Sequence, residues 1–264
     1  MPRIIVCLKR ALDVSQLKAD PATGKLIMTG VPRKISDFDK NALEEAVRLK
    51  EKFGGEVLTV TVSAEDAKTS VREALAMGAD RGYLIIDKAI EFSDTLATSI
   101  VLAEAVKKVG QYDLILCGEA SIDGFSAQVG PRLAELLNVP VITYVRKITL
   151  ENNTVIAERV LEDRYETVKT KTPAIITVTK EINEPRIPSL MSIMKASKKE
   201  IIYWTLEDLD IPASKVGELG SGVKIIDVLA PKTERKKIVI KGESPAEIAE
   251  KLVKALIQEG VVGR

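Results

Sequence analysis

The chain contains no histidine and only two cysteines, Cys7 and Cys117. Without an imidazole there is no Ser-His-Asp or Cys-His nucleophile to assemble, and ordinary hydrolytic chemistry is disfavoured. Two thiols alone do not build a structural zinc or iron–sulfur site, so neither a catalytic residue nor a metal site is expected. Both cysteines sit near the ends of apolar runs, where a small thiol packs well; burial without a disulfide is the expectation. Binding chemistry is better represented. The stretch Gly118–Gly130 (GEASIDGFSAQVG) is rich in small residues that let a backbone approach a phosphate closely. It contains neither GxGxxG nor GxxxxGK[ST], and it reads equally well as an ordinary strand-to-helix turn. Asp123 within it is a ligand candidate or a turn and cap residue. Lys9-Arg10, the charged run Glu44–Lys52 and Lys198-Lys199 read as strand-end and solvated-face charges. Leu190, Met191, Ile193 and Met194 form an apolar cluster in a segment bounded by Pro185 and Pro188, where a presented patch is more expected than core.

These residues need a frame. Arg3–Lys9, Val57–Val62, Tyr83–Ile86 and Tyr112–Cys117 are short β-branched runs, and helical patterns separate them. Asp39–Phe53 stops at Gly54-Gly55, Glu65–Met77 at Gly78 and Asp94–Val109 at Gly110. A fourth helix is expected over Ser126–Leu137. Alternation of this kind implies a mainly parallel sheet, whose ligands bind beyond the carboxyl ends of the strands. Those ends converge on Cys7-Leu8-Lys9, Val62-Ser63 and Gly118. From Val141 to Lys180 extended runs follow one another, with Asn152-Asn153 as a tight turn, and predict an antiparallel extension of the sheet. Periodicity is lost beyond Asn183, which reads as an arm. It returns at Ser244–Glu259, where Ser244, Pro245 and Glu247 spell a helix start and Ile248, Leu252, Ala255 and Leu256 form a stripe that needs a surface.

Composition sets outer bounds. Lys+Arg 39 against Asp+Glu 38 gives a net charge of +1 over 264 residues, with no global pull toward nucleic acid or anionic lipid. No apolar run approaches the roughly 20 residues of a membrane span, and MPRIIVCLKR lacks a secretory apolar stretch, so a soluble cytoplasmic protein without membrane insertion is expected.

Five stretches, VCLKRALD, NALEEAVRLKEK, ALAMGADRG, GEASIDGFSAQVG and NEPRIPSLMSIMKASKKE, fall in one order across residues 1–204 and together resemble the beta subunit of electron-transfer flavoproteins. The resemblance implies a doubly wound α/β fold, adenine nucleotide alpha hydrolase-like, over 1–182. An arm over 183–264 would pack on an alpha subunit carrying redox-active FAD. It implies a heterodimer that shuttles electrons between dehydrogenases and a quinone reductase or other acceptor. The implied nucleotide pocket comprises Cys7, Ser36, Asp37, Phe38, Asp39, Val62 and the loop Gly118, Glu119, Ala120, Ser121, Ile122, Asp123, Gly124, Phe125, Ser126, Ala127, Gln128 and Val129. Leu190, with Met191 and Met194, resembles the family's recognition loop, and Glu166 a glutamate near the partner interface.

Members that hold AMP have a threonine where this chain has Val129. The reading DGFSAQVGP instead resembles the flavin-bifurcating branch, in which a second FAD occupies the beta site and takes hydride from NADH. The alternative is a single-FAD carrier with structural AMP, serving acyl-CoA-type dehydrogenases. A stand-alone adenine-nucleotide-binding regulatory domain explains the pocket but not the arm, and a purely structural interaction protein explains the arm but not the loop. An alpha-hydrolase-type enzyme needs a Ser/Gly motif after the first strand, which VCLKRALD lacks.

Overall fold

A computed structural model describes residues 1–230 and 237–263 of the chain. Met1–Lys18 and Leu26–Val228 form one compact unit; Ala19–Lys25 and Leu229–Arg264 form a second.

The first unit is built on a nine-stranded sheet. In chain order its strands are β1 (Arg3–Cys7), β2 (Glu56–Ser63), β3 (Arg81–Ile86), β4 (Leu114–Gly118), β5 (Val141–Glu151), β6 (Thr154–Val160), β7 (Tyr165–Lys171), β8 (Ala174–Val178) and β9 (Ile201–Trp204). Their spatial order is β7-β6-β5-β8-β4-β1-β2-β3-β9. From β5 to β9 every pairing is parallel. β6 and β7 add the expected antiparallel extension, and the turn between β5 and β6 places Asn152 at a φ of 54°, which asparagine tolerates.

Parallel strands must be covered on both faces, so their runs are apolar throughout instead of alternating. In β1, Ile4 and Val6 enter one core with Leu43, Val47 and Leu75; Ile5 and Cys7 enter the other with Val101, Val106 and Leu133. The covering helices are α1 (Asp37–Phe53), α2 (Lys68–Met77), α3 (Thr95–Val109) and α4 (Val129–Leu137). α1 and α3 end at the predicted glycines, Gly54 and Gly110, whose φ of 75° and 95° suits a residue without Cβ.

Several features differ from the sequence expectation; α1 starts at Asp37, two residues before Asp39. α2 starts at Lys68, not Glu65, because Asp66 folds back to accept from the Lys68 N–H at 2.8 Å. α4 starts at Val129, not Ser126, since Phe125 and Ala127 take positive φ values of 46° and 54° that no helix propagates. The stretch beyond Asn183 is more ordered than its lost periodicity suggests. It forms a short helix α5 (Leu190–Ala196) and then β9, which pairs parallel with β3. Four residues of IIYW are too few to show alternation, so nothing in the pattern marks them as an edge strand.

In the second unit Lys25 bridges Leu229 in antiparallel fashion. Its helix Pro245–Gln258 begins as expected: Ser244 accepts from the Glu247 N–H at 3.2 Å, and Pro245 stands at the first position. Ile248 and Leu252 of its apolar stripe are exposed. Of the arm expected over 183–264, residues 231–236 and 264 lie outside the described residues.

Candidate functional site

The crossover from β1 leads to β2 on one side and the one from β4 leads to β5 on the other, so the two diverge between β1 and β4. This is the switch point where an open α/β sheet forms a crevice. The β1–β4 ladder ends at Val6 and Leu116, and the crevice opens beyond it.

Three segments meet there: the end of β1, the start of α1 and the loop after β4. Asp39 accepts from the Lys9 N–H at 2.7 Å and from the Gly118 N–H at 3.0 Å. The Ser36 hydroxyl accepts from the Ile122 N–H at 3.3 Å. Lys9 Nζ reaches Asp123 at 2.6 Å, and the Leu12 N–H donates weakly to the same carboxylate at 3.4 Å. The Phe38 and Phe125 rings stand 5.9 Å apart, tilted, and Lys180 Nζ lies 5.1 Å over the Phe38 ring. Lys180 is therefore a part of the site that sequence reasoning missed, and Lys9, placed at a converging strand end, was read only as a strand-end charge; a lone lysine there carries no signal of the loop it will pin.

Close approach explains two glycines. A Cβ on Gly118 would meet Phe38 Cβ at 2.6 Å, and one on Gly130 would meet Thr177 Cγ2 at 2.4 Å. These glycines let the start of α1 seat on the end of β4 and α4 seat on β8. α4 opens with no side chain capping its first N–H groups, because the Gln128 amide is held away by Arg132 and Thr95. An uncapped helix start presents N–H groups to an anion.

The charges are unequal in environment. Burial pushes the Asp39 carboxyl up to about 7, against the pull of its two N–H donors and Lys9, with Asp123 adding to the rise. Burial opposes ionisation of Asp123 most strongly, but the Lys9 charge and the hydrogen bonds from Lys9, Ser121 and the Leu12 N–H together outweigh it and hold that carboxyl below its ordinary range. Glu119 is raised, chiefly by burial. Cys7 and Cys117 are buried free thiols, and the Cys7 contact and burial push Cys117 well up. Among the described residues no cluster of three metal-ligating side chains exists, and no helix is long and apolar enough to cross a membrane.

The structure thus brings Ser36, Phe38 and Asp39 to the same crevice as the Gly118–Val129 loop, with Cys7 buried at the end of β1, whereas the Asp37 carboxylate pairs with Lys34 at 3.1 Å. Val62 lies at the end of β2, one strand further out. Leu190, Met191 and Met194 lie elsewhere, on α5, where they are 75%, 67% and 65% exposed. Glu166 is on edge strand β7, paired loosely with Arg164 at 3.4 Å, across the sheet from α5.

The run Glu44–Lys52 is not the solvated face expected of it. Glu44 is 3% exposed and accepts from Arg186 Nε at 2.8 Å, Arg186 Nη2 at 3.1 Å and Arg48 Nε at 2.9 Å. Asn41 Nδ2 donates to the Asn183 carbonyl at 2.7 Å, and Asn183 Nδ2 returns a bond to the Asn41 carbonyl at 3.0 Å. Beyond α5, Arg72 of α2 donates to the carbonyls of Ala196 and Lys199 at 2.7 and 2.6 Å. The seven-residue helix is too short to persist alone, and these clamps hold it at both ends.

The architecture is thus a doubly wound α/β fold with a switch-point crevice and, apart from it, a clamped helix with exposed apolar residues. The family described as Electron transfer flavoprotein domain matches residues 23–209. The chain is 43% identical over 260 residues to the electron transfer flavoprotein subunit beta of Thermoanaerobacterium thermosaccharolyticum, covering 98% of this chain and 99% of that one. It is 39% identical over 261 residues to the caffeyl-CoA reductase-Etf complex subunit CarD of Acetobacterium woodii, with 98% and 100% covered. Against protein FixA of Bradyrhizobium diazoefficiens the identity is 37% over 253 residues, with 92% and 88% covered. The chain belongs to the electron transfer flavoprotein family, as a beta subunit.

Proposed function

We propose that the crevice holds a second FAD and that the chain works as the beta subunit of a bifurcating electron-transfer flavoprotein. The residues suit a dinucleotide. The start of α4 offers uncapped N–H groups toward a pyrophosphate, and Gly118 and Gly130 let the helices flanking the crevice pack closely on the sheet. The observation that carries the choice of FAD over AMP is Val129, the first residue of α4. A hydroxyl there would bond a terminal phosphate; an isopropyl group cannot, and a longer ligand needs no such donor. The similarity to CarD, a subunit of a reductase-Etf complex, favours the same branch. Bound in the crevice, a flavin supplies hydride acceptance from NADH and one-electron transfer, while the chain binds and orients it.

In this reading Leu190, Met191 and Met194 dock a dehydrogenase or quinone-reductase partner, Glu166 on the opposite sheet edge lies near a partner interface of its own, and the arm, including the exposed stripe of Pro245–Gln258, packs on an FAD-carrying alpha subunit. Coexpression with the alpha subunit, acid release and counting of nucleotides tests it. Two FAD and no AMP per heterodimer is expected. One FAD with one AMP would make the chain part of a single-flavin carrier serving acyl-CoA-type dehydrogenases.

A further inference from the structure

Ser36 and Asp39 stand at the N-cap and third positions of α1, three residues apart, the spacing of a capping box. In a capping box both side chains turn inward to the helix's own N–H groups. Here neither does: Ser36 makes no cap bond, and its hydroxyl accepts from Ile122 of the loop. Asp39 spends both oxygens on two different strand ends, Oδ2 on the Lys9 N–H at 2.7 Å and Oδ1 on the Gly118 N–H at 3.0 Å. Those N–H groups lie just past Val6 and Leu116, where β1 and β4 stop pairing. The carboxylate therefore stands in for the strand-to-strand bonds lost as the strands part.

We propose that Asp39, assisted by Ser36, is a positioning residue that straps β1 to β4 and fixes the width of the nucleotide crevice without touching the nucleotide. The inference rests on the nucleotide-binding reading of the crevice. Asp39 is 7% exposed and both its oxygens are engaged, so it has little left to offer a ligand directly. Two charge-assisted bonds on one rigid helix define a fixed separation better than flexible lysines would. The charged and titratable groups around it are Lys9 from the turn after β1, Asp123 from the loop and Cys117 from β4.

The ionised carboxylate accepts two bonds; the neutral acid keeps a proton on one oxygen and straps more weakly. With burial lifting Asp39 to about 7, nucleotide retention tightens as pH rises through neutrality. Folding stability moves the other way. A carboxyl whose folded value is raised costs stability as pH climbs from its unfolded value, about 4, to its folded one. A general structural lesion does not give opposite slopes.

The test uses the heterodimer, wild type and Asp39→Asn, with FAD and AMP as probes across pH 5.5–8.5, and peptide-resolved amide exchange over 8–12 and 117–122. The variant is expected to bind whichever nucleotide the wild type holds about tenfold more weakly, as for loss of one bond to a charged group. It is also expected to lose the wild-type pH slope of retention and to exchange faster in both segments without nucleotide. Unchanged exchange, or a retained slope, would overturn the strap. If Asp39→Asn does not assemble, Ser36→Ala is expected to speed exchange around Ile122 and weaken retention more mildly; no change in either overturns the proposal. A wild type that holds neither nucleotide sinks the functional reading alone, because the exchange data still judge the strap.

Discussion

Replacing Arg186 with methionine isolates the clamp between the Pro185–Pro188 segment and α1. Glu44 is nearly sealed from solvent, with a side chain 4% exposed, and Arg186 supplies its N–H at 3.1 Å, Nε at 2.8 Å and Nη2 at 3.1 Å. Truncation leaves the carboxylate with Arg48 and the backbone donor. Removing one partner of a buried pair costs about 3–5 kcal/mol. Arg48 stays in place and Arg186 is one-third exposed, so about 2–3 kcal/mol is expected here. Glu51 also loses its 2.6 Å contact, but its side chain is 55% exposed and contributes under about 1 kcal/mol. Burial opposes ionisation of Glu44, yet its bonds from Arg186 and Arg48 win and hold the carboxyl below its ordinary 4.5. A depressed folded value contributes stability above the unfolded one and loses it as pH falls. The gap between wild type and Arg186→Met should therefore be widest above pH 4.5 and narrow below it. Urea midpoints of both heterodimers at pH 7 and pH 4, with Glu44→Gln closing a double-mutant cycle, measure this. Strict additivity of the two substitutions, or a gap that does not shrink in acid, would refute the clamp.

Gly118→Ala forces a Cβ to 2.6 Å from Phe38 Cβ and 2.8 Å from its backbone, so loss of both bound nucleotide and several kcal/mol of stability is expected, read by nucleotide release and urea titration. Leu190→Ala removes a side chain that is 75% exposed; stability should stay within about 0.5 kcal/mol and nucleotide content should not move, while electron delivery to the partner slows in stopped-flow traces. Val129→Thr supplies a hydroxyl at the start of α4 and should raise AMP retention relative to FAD in competitive binding; an unchanged ratio would remove Val129 as the determinant.

Legibility in the sequence followed the range of the interactions. Strands β1 to β4 and the glycine stops of α1 and α3 depend on local pattern and were readable. The Gly118–Val129 loop was picked out by its small residues and by its place after a predicted strand end. What the pattern hid is non-local. Glu44 and Arg186 are 142 residues apart, and a helix bearing EEAVRLKEK reads as solvated when its partner lies in a proline-bounded segment. The start of α4 was misplaced because Phe125 and Ala127 adopt positive φ, a conformation usually signalled by glycine or asparagine.

Helix α1 then carries two tasks on one rod. Its first turn straps the crevice through Ser36 and Asp39, and the next turns, through Asn41, Glu44 and Glu51, anchor the segment leading to α5. Few contacts let α1 tilt at one end without disturbing the other, because Leu43 and Val47 between them are packed at 0% and 2% exposure against the sheet. A packed rod of this kind transmits displacement poorly as bending and well as rigid shift. Loss of the strap at Asp39 should therefore raise amide exchange at 183–187 as well as at the crevice, whereas Arg186→Met, which frees a surface segment and leaves the rod seated, should not raise it at 117–122. Equal spread in both directions would mean that α1 is not the carrier.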